Sequence, residues 1–200
     1  GEIKFETGDV LDAGTSGRIV IAAGQSSSGF AGHISMKSGD NINSDSEGGT
    51  VSLESGAGSL TSGSLSIKSS ESAASGSIAI SSGRADTSDS GQVTIGTGQA
   101  ASQSGSLIVR SGDSVDGASG TLSIYSGASA SRDGGDVSIA SGRGGQRSGS
   151  VSIETRDAIE SGAVTLTTGT ASSESSGSIA IVTGGSDNGN SGQIHVSTGL

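Results

Sequence analysis

Cysteine, proline and tryptophan are absent from this chain of 200 residues. Without cysteine there are no disulfides and no zinc–thiolate sites, and the compartment is left open on that count. Aromatic residues amount to 2%, namely Phe5, Phe30 and Tyr125, and hydrophobic residues of all kinds to 30%. That is too little for a thick core filled by Leu and Phe. No apolar run approaches the roughly 20 residues of a membrane-spanning helix, and no secretory leader pattern is visible. Basic residues are few as well, 10 against 20 acidic ones, giving a net charge of −10. Phosphate recognition needs clustered Lys and Arg, so no nucleic acid is expected as a partner. The small group Arg132, Arg143 and Arg147 reads as solvated surface.

What the chain has in quantity is glycine, 37 residues of it. Low hydrophobicity with a large net charge is the composition of disorder. The regular spacing of Ile, Val and Leu argues against that, and against a plain Gly/Ser linker. The pattern is clearest at 91–104, where G-Q-V-T-I-G-T-G is followed by Q-A-A-S-Q-S. Val93, Ile95 and Thr97 alternate with Gln92, Thr94 and Gly96, the period of two that marks an extended, half-buried strand.

The same phrase recurs throughout. Repeats start at Gly1, Gly17, Gly32, Gly49, Gly63, Gly76, Gly91, Gly105, Gly120, Gly135, Gly149, Gly162, Gly177 and Gly192, with 13 to 17 residues between starts. Each opens G-x-Φ-x-Φ-x-[S/T]-G, where Φ is Ile, Val or Leu except at Phe5 and Met36. Ala23 is the one departure from Ser or Thr, and Ser70 and Arg156 replace the closing glycine. Connectors of five to nine residues, rich in Ser, Ala, Gly and Asp, separate the phrases.

A seven-residue strand covers roughly 23 Å, a distance that six or seven extended residues can span on the way back. The expectation is therefore all-β: one single-domain parallel β-solenoid (β-helix) over 1–200. It would have about 13–14 rungs of roughly 15 residues, stacked at about 4.8 Å, with a thin two-sided core. An antiparallel meander would make odd and even repeats differ, and they do not. The two Φ columns then face inward as aliphatic ladders, for example Ile78, Val93, Leu107, Leu122 and Val137. The Ser/Thr column lies beside a corner and bonds to turn backbone. The flanking glycines supply positive φ or close approach, and small residues such as Ala85, Ala100, Ala158 and Ala171 line the opposite wall.

Two further regularities stand out. The repeats at Gly63 and Gly149 lack the closing glycine and carry the shortest connectors, 71–75 and 157–161, which predicts a tighter corner in both. These starts lie 86 residues apart, as do Gly49 and Gly135, Gly76 and Gly162, and Gly91 and Gly177, so a six-repeat block reads as duplicated. Neither end carries a polar or helical cap, and 1–8 and 192–199 read as ordinary repeats. The chain therefore reads as a segment of a longer array or as a unit that polymerises through its ends.

Chemistry is sparse. The only histidines, His33 and His195, lie eleven repeats apart, roughly 50 Å at the stacking distance. They share no site on that scheme, and no enzyme activity is expected. Fifteen of the twenty acidic residues fall in connectors, including the pairs Asp9/Asp12, Asp86/Asp89, Asp113/Asp116 and Asp157/Glu160. No cofactor is expected beyond weak Ca²⁺ binding by such connector carboxylates. Their simpler role is a negative solvated edge that opposes side-by-side aggregation.

The outward face offers the one candidate site. Its middle column is small or uncharged apart from Lys4 and His195 at the ends, and includes Ser52, Ser66, Ala79, Thr94, Ser123, Ser138, Ser152 and Thr165. This is a candidate surface-binding strip for a neighbouring molecule or an ordered surface. In this respect the chain resembles ice-binding β-solenoids, although on the outward face only Thr165 and Thr167 form a T-x-T pair. More widely it resembles the short-rung, Ser/Gly-rich β-solenoids of secreted fibres and adhesin stalks. That resemblance implies an extracellular or cell-surface location and a structural, non-catalytic rod, the shaft of a fibre or surface filament. Its partner would be the protein itself, end to end or laterally, with other surface polymers or ice as further candidates. The alternatives are an ice- or crystal-surface binder and a Ca²⁺-stabilised adhesin stalk. Exposed Ser and Thr are candidates for O-glycans, and no N-x-[S/T] sequon is present.

Overall fold

A computed structural model describes residues 1–43 and 46–199. Its backbone follows the sequence repeat closely. No bend falls inside any of the fourteen phrases, and every one of the thirteen connectors contains one. Bends lie at 12–14, 27–29, 59–60, 86–88, 115–117 and 172–174, for example. The phrases are straight because alternating β-branched residues favour extended backbone, whereas Gly, Ser and Asp in the connectors favour turns.

The fold class inferred above is overturned. Among the described residues there is no helix and no β-strand, so the chain is neither an all-β protein nor a β-solenoid or β-helix. No parallel ladder joins one phrase to the next, and no described side chain, polar or apolar, is buried. The thin two-sided core is therefore missing too. Leu107, Leu122 and Val137 are exposed, as are Ala85, Ala100, Ala158 and Ala171. The roughly 50 Å placed between His33 and His195 rested on stacked rungs and no longer applies.

The physical reason lies in the connectors. They do not carry the chain back along a strand; their two ends meet. The Gly32 N–H donates to the Gly24 carbonyl at 3.1 Å, Gly49 to Gly39 at 2.9 Å and Gly63 to Gly56 at 2.8 Å. Gly135 donates to Gly127 at 2.9 Å and Gly149 to Gly142 at 3.0 Å. At these five junctions a closing glycine is thus bonded to the next opening glycine, and the connector between them is a loop of the Ω kind with adjacent ends. The following phrase starts where the preceding one stopped. A stacked rung needs it to start one strand length away.

The two glycines of a phrase have different surroundings. A methyl group placed on any opening glycine from Gly17 to Gly192 would lie 3.0–4.0 Å from the side chain of the preceding Ser/Thr place, Ala23 included. On the twelve closing glycines, Gly8 to Gly199, the same methyl would meet nothing within 4 Å. No described glycine has positive φ, which corrects the left-handed corner expected above. Close approach alone explains the opening glycine. The corners after Ser70 and Arg156 are not tighter either. The contacts at Gly76 and Gly162 are 4.0 and 3.6 Å, against 3.0 Å at Gly32 and 3.1 Å at Gly49.

By internal contacts the chain divides into two segments, Gly1–Gly96 and Thr97–Leu200. The first contains the bonded loops ending at Gly32, Gly49 and Gly63, and the second those ending at Gly135 and Gly149.

Candidate interaction surface

The least exposed places in the chain belong to one column of the repeat. Thr7, Ser38, Ser55, Ser69, Ser111 and Thr183 are half-buried, while every other described residue is exposed. All six occupy the Ser/Thr place, where the closing loop sets the next opening glycine against them. Two of these hydroxyls reach backbone: Ser38 Oγ donates to the Gly49 carbonyl at 2.8 Å, and Thr7 Oγ1 to the Gly17 carbonyl at 3.2 Å. The hydroxyl-to-turn bond expected from the sequence is made at these two repeats. It is a clip between consecutive repeats and lines no core.

A second set of hydroxyls shapes the connectors. Ser26 Oγ accepts from the Gly29 N–H, Ser114 Oγ from the Gly117 N–H and Ser129 Oγ from the Arg132 N–H, each at 3.0 Å. In the nine-residue connector the Asn41 carboxamide accepts from the Asn43 N–H at 2.9 Å, and Lys37 pairs with Asp40 at 2.6 Å. Sequence reasoning missed these turns. The signal was present as a serine three residues before Gly29 and Gly117, a spacing that lets a short hydroxyl bond its own turn.

Among the described residues, exposed apolar side chains recur in every phrase. From the second repeat onward the first Φ residue is less exposed than the second, as with Val93 at 49% and Ile95 at 69%. Both remain open to solvent in every phrase. The strip residues lie on the same unbent phrases. Ser52, Ser66, Ala79 and Thr94 fall in the first segment, and Ser123, Ser138, Ser152 and Thr165 in the second. All eight are exposed, and no strand pairing aligns their phrases into a common plane.

Charged groups sit apart from one another or in simple pairs. Lys4 and Glu6 (2.8 Å), and Glu154 and Arg156 (3.6 Å), are two residues apart within a phrase, as same-side neighbours on extended backbone are. Arg84 holds Asp86 at 2.9 Å, which engages one member of the Asp86/Asp89 pair. Among the described residues no three His, Cys, Asp or Glu side chains converge as a metal site would require. An open depression of about 310 Å³ is lined by Glu6, Thr7, Gly8 and Asp9. Its two carboxylates are the only ionisable side chains in that lining. Among the described residues no helix is long and apolar enough to cross a membrane.

No family model matches the chain, and neither curated proteins nor solved structures show a significant match to it.

Proposed function

We propose that the chain is a structural, non-catalytic repeat segment of an extracellular fibre or surface filament, ordered by association with copies of itself. The observation that supports this is the combination of a regular apolar pattern with no buried side chain among the described residues. The chain exposes 20533 Å². A compact protein of 19.0 kDa exposes about 8,400 Å², and the same chain fully unfolded about 27,500 Å². A molecule this open has little hydrophobic stabilisation to set against the conformational entropy of its own order. Yet each phrase carries two Φ residues, more than half of whose combined surface is available for burial by a partner. Completing the burial of one such residue is worth about 1 kcal/mol, and the pattern repeats fourteen times.

The extracellular setting rests on the resemblance to secreted and surface fibres. Sedimentation velocity and negative-stain microscopy over a concentration series test the structural role. Particles that grow with concentration, together with backbone order that rises alongside, are the expected result. A chain that remains monomeric and equally ordered at every concentration rejects it.

A further inference from the structure

We infer that copies of this chain associate phrase against phrase at offsets of whole repeats, so that assemblies are staggered and open-ended instead of closed dimers. The inference rests on the structural reading above and specifies its partner and register. A second copy is the occupant for three reasons.

The first is area. A stable two-chain interface buries about 1,600 Å², a small part of the 20533 Å² that this chain leaves exposed. One copy therefore has room for several neighbours along its length. Among the described residues the extended phrases also have no backbone ladder, and such unpaired edges are templates for another chain.

The second is charge. The phrases contain five of the twenty acidic residues but six of the ten basic ones, so they are close to neutral. The connectors hold the remaining fifteen acidic residues and four basic ones. Contact along phrases brings little like charge together, while the acidic connectors resist any other approach. Added salt, by screening the connectors, strengthens the association.

The third is register. From Gly17 onward each opening glycine lies close against the preceding Ser/Thr place, and this approach is kept whatever the connector length. After the nine-residue connector 40–48 a Cβ placed on Gly49 would lie 3.1 Å from Ser38, and after the five-residue connector 157–161 one placed on Gly162 would lie 3.6 Å from Thr155. A neighbour displaced by one repeat therefore meets the same alternation of Φ residues. Nothing in the repeat itself ends the series.

The test uses the full chain and two variants, followed by sedimentation velocity and negative-stain microscopy. One variant inserts Gly-Ser-Gly-Ser after Ala101, in the connector 99–104; the other is Val93→Lys with Ile95→Lys. The native chain should give a broad series of species well beyond the dimer, moving to larger sizes with concentration and with salt. The insertion should leave that series unchanged, and the double lysine variant should shorten the assemblies several-fold. A single closed dimer at all concentrations overturns the stagger while leaving self-association standing. Dispersal by the insertion overturns the independence of register from connector length. Native-like assembly of the double lysine variant overturns the phrase as the contact. A chain that is monomeric throughout overturns both this inference and the structural role beneath it.

Discussion

The stretch that begins at Gly49 and the one that begins at Gly135 are two versions of the same block, 86 residues apart. Their backbones agree in detail. Gly63 bonds Gly56 at 2.8 Å, and Gly149 bonds Gly142 at 3.0 Å. The chain bends at 59–60 and 145–146, and again at 86–88 and 172–174. Gly58 faces the carbonyl oxygen of Thr61, and Gly144 faces that of Arg147, so closely that neither position has room for a Cβ. The charges, by contrast, differ. Lys68 stands where the later block has Glu154, and the Arg84–Asp86 pair stands where it has Thr170 and Ser172. Glu154 pairs with Arg156, whereas Lys68 has Ser70 in the corresponding place. Backbone shape is therefore specified by the glycines and hydroxyls that both blocks share. The ion pairs are additions to a geometry already made.

That comparison can be broken most severely at its glycines. Gly58→Val and Gly144→Val each drive a side chain into a backbone carbonyl, and each should weaken its loop by about 2–3 kcal/mol. Amide hydrogen exchange at Gly63 and Gly149 reads the loss. A large effect in one block with none in the other would show that the blocks differ in backbone after all.

A somewhat smaller contrast lies within one junction. Gly49→Ala places a methyl group 3.1 Å from Ser38 Cβ and 3.2 Å from the Gly39 nitrogen, so about 1–3 kcal/mol of crowding is expected. Gly39→Ala meets nothing within 4 Å and should be neutral, or stabilising by about 0.5 kcal/mol through the unfolded chain. Exchange of the Gly49 amide, which donates to Gly39, follows both variants. Equal effects would remove the distinction between the two glycine classes.

Ser38→Ala takes away the 2.8 Å bond to the Gly49 carbonyl. A loss of about 0.5–1.5 kcal/mol is expected, again measured at the Gly49 amide. Smallest of all is the exchange of charges between blocks, Lys68→Glu with Glu154→Lys. The Glu154–Arg156 pair is exposed and 3.6 Å long, so the change should stay below about 0.5 kcal/mol. A marked shift in exchange at Gly76 or Gly162 would mean that charge does help to set the loops.

The sequence made the repeat legible down to the residue: where each phrase starts, which places are apolar, and where the chain turns. It did not reveal what pairs with a phrase. Val93 and Ile95 alternate with Thr94 whether the neighbouring strand belongs to the same chain or to another molecule, since period-two patterning reports extended backbone with two unlike faces and nothing about the partner. Connector length misled for a related reason. Six or seven residues are enough to return across a strand, but they are also enough to close a small loop. The choice was made by features too local for the repeat search, such as the Gly24–Gly32 backbone bond and the Ser26 hydroxyl on the Gly29 amide. The surface strip was readable only as eight exposed, uncharged positions; a common plane for them depended on the stacking that is absent.

The two kinds of glycine also make the chain a record of its own mutational history. Fourteen copies of one phrase are fourteen samples of what each place accepts. The opening glycine, which from Gly17 onward always has a neighbour within 4.0 Å, has not varied once. The closing glycine, with open space about its Cβ direction and no positive φ to maintain, has drifted to Ser70 in one copy and to Arg156 in another. From Gly17 onward, the place that varies among the copies is the one with open space, and the place that does not is the crowded one. Further copies of the repeat should diverge first at the closing glycine and in the connectors, and last at the opening glycine.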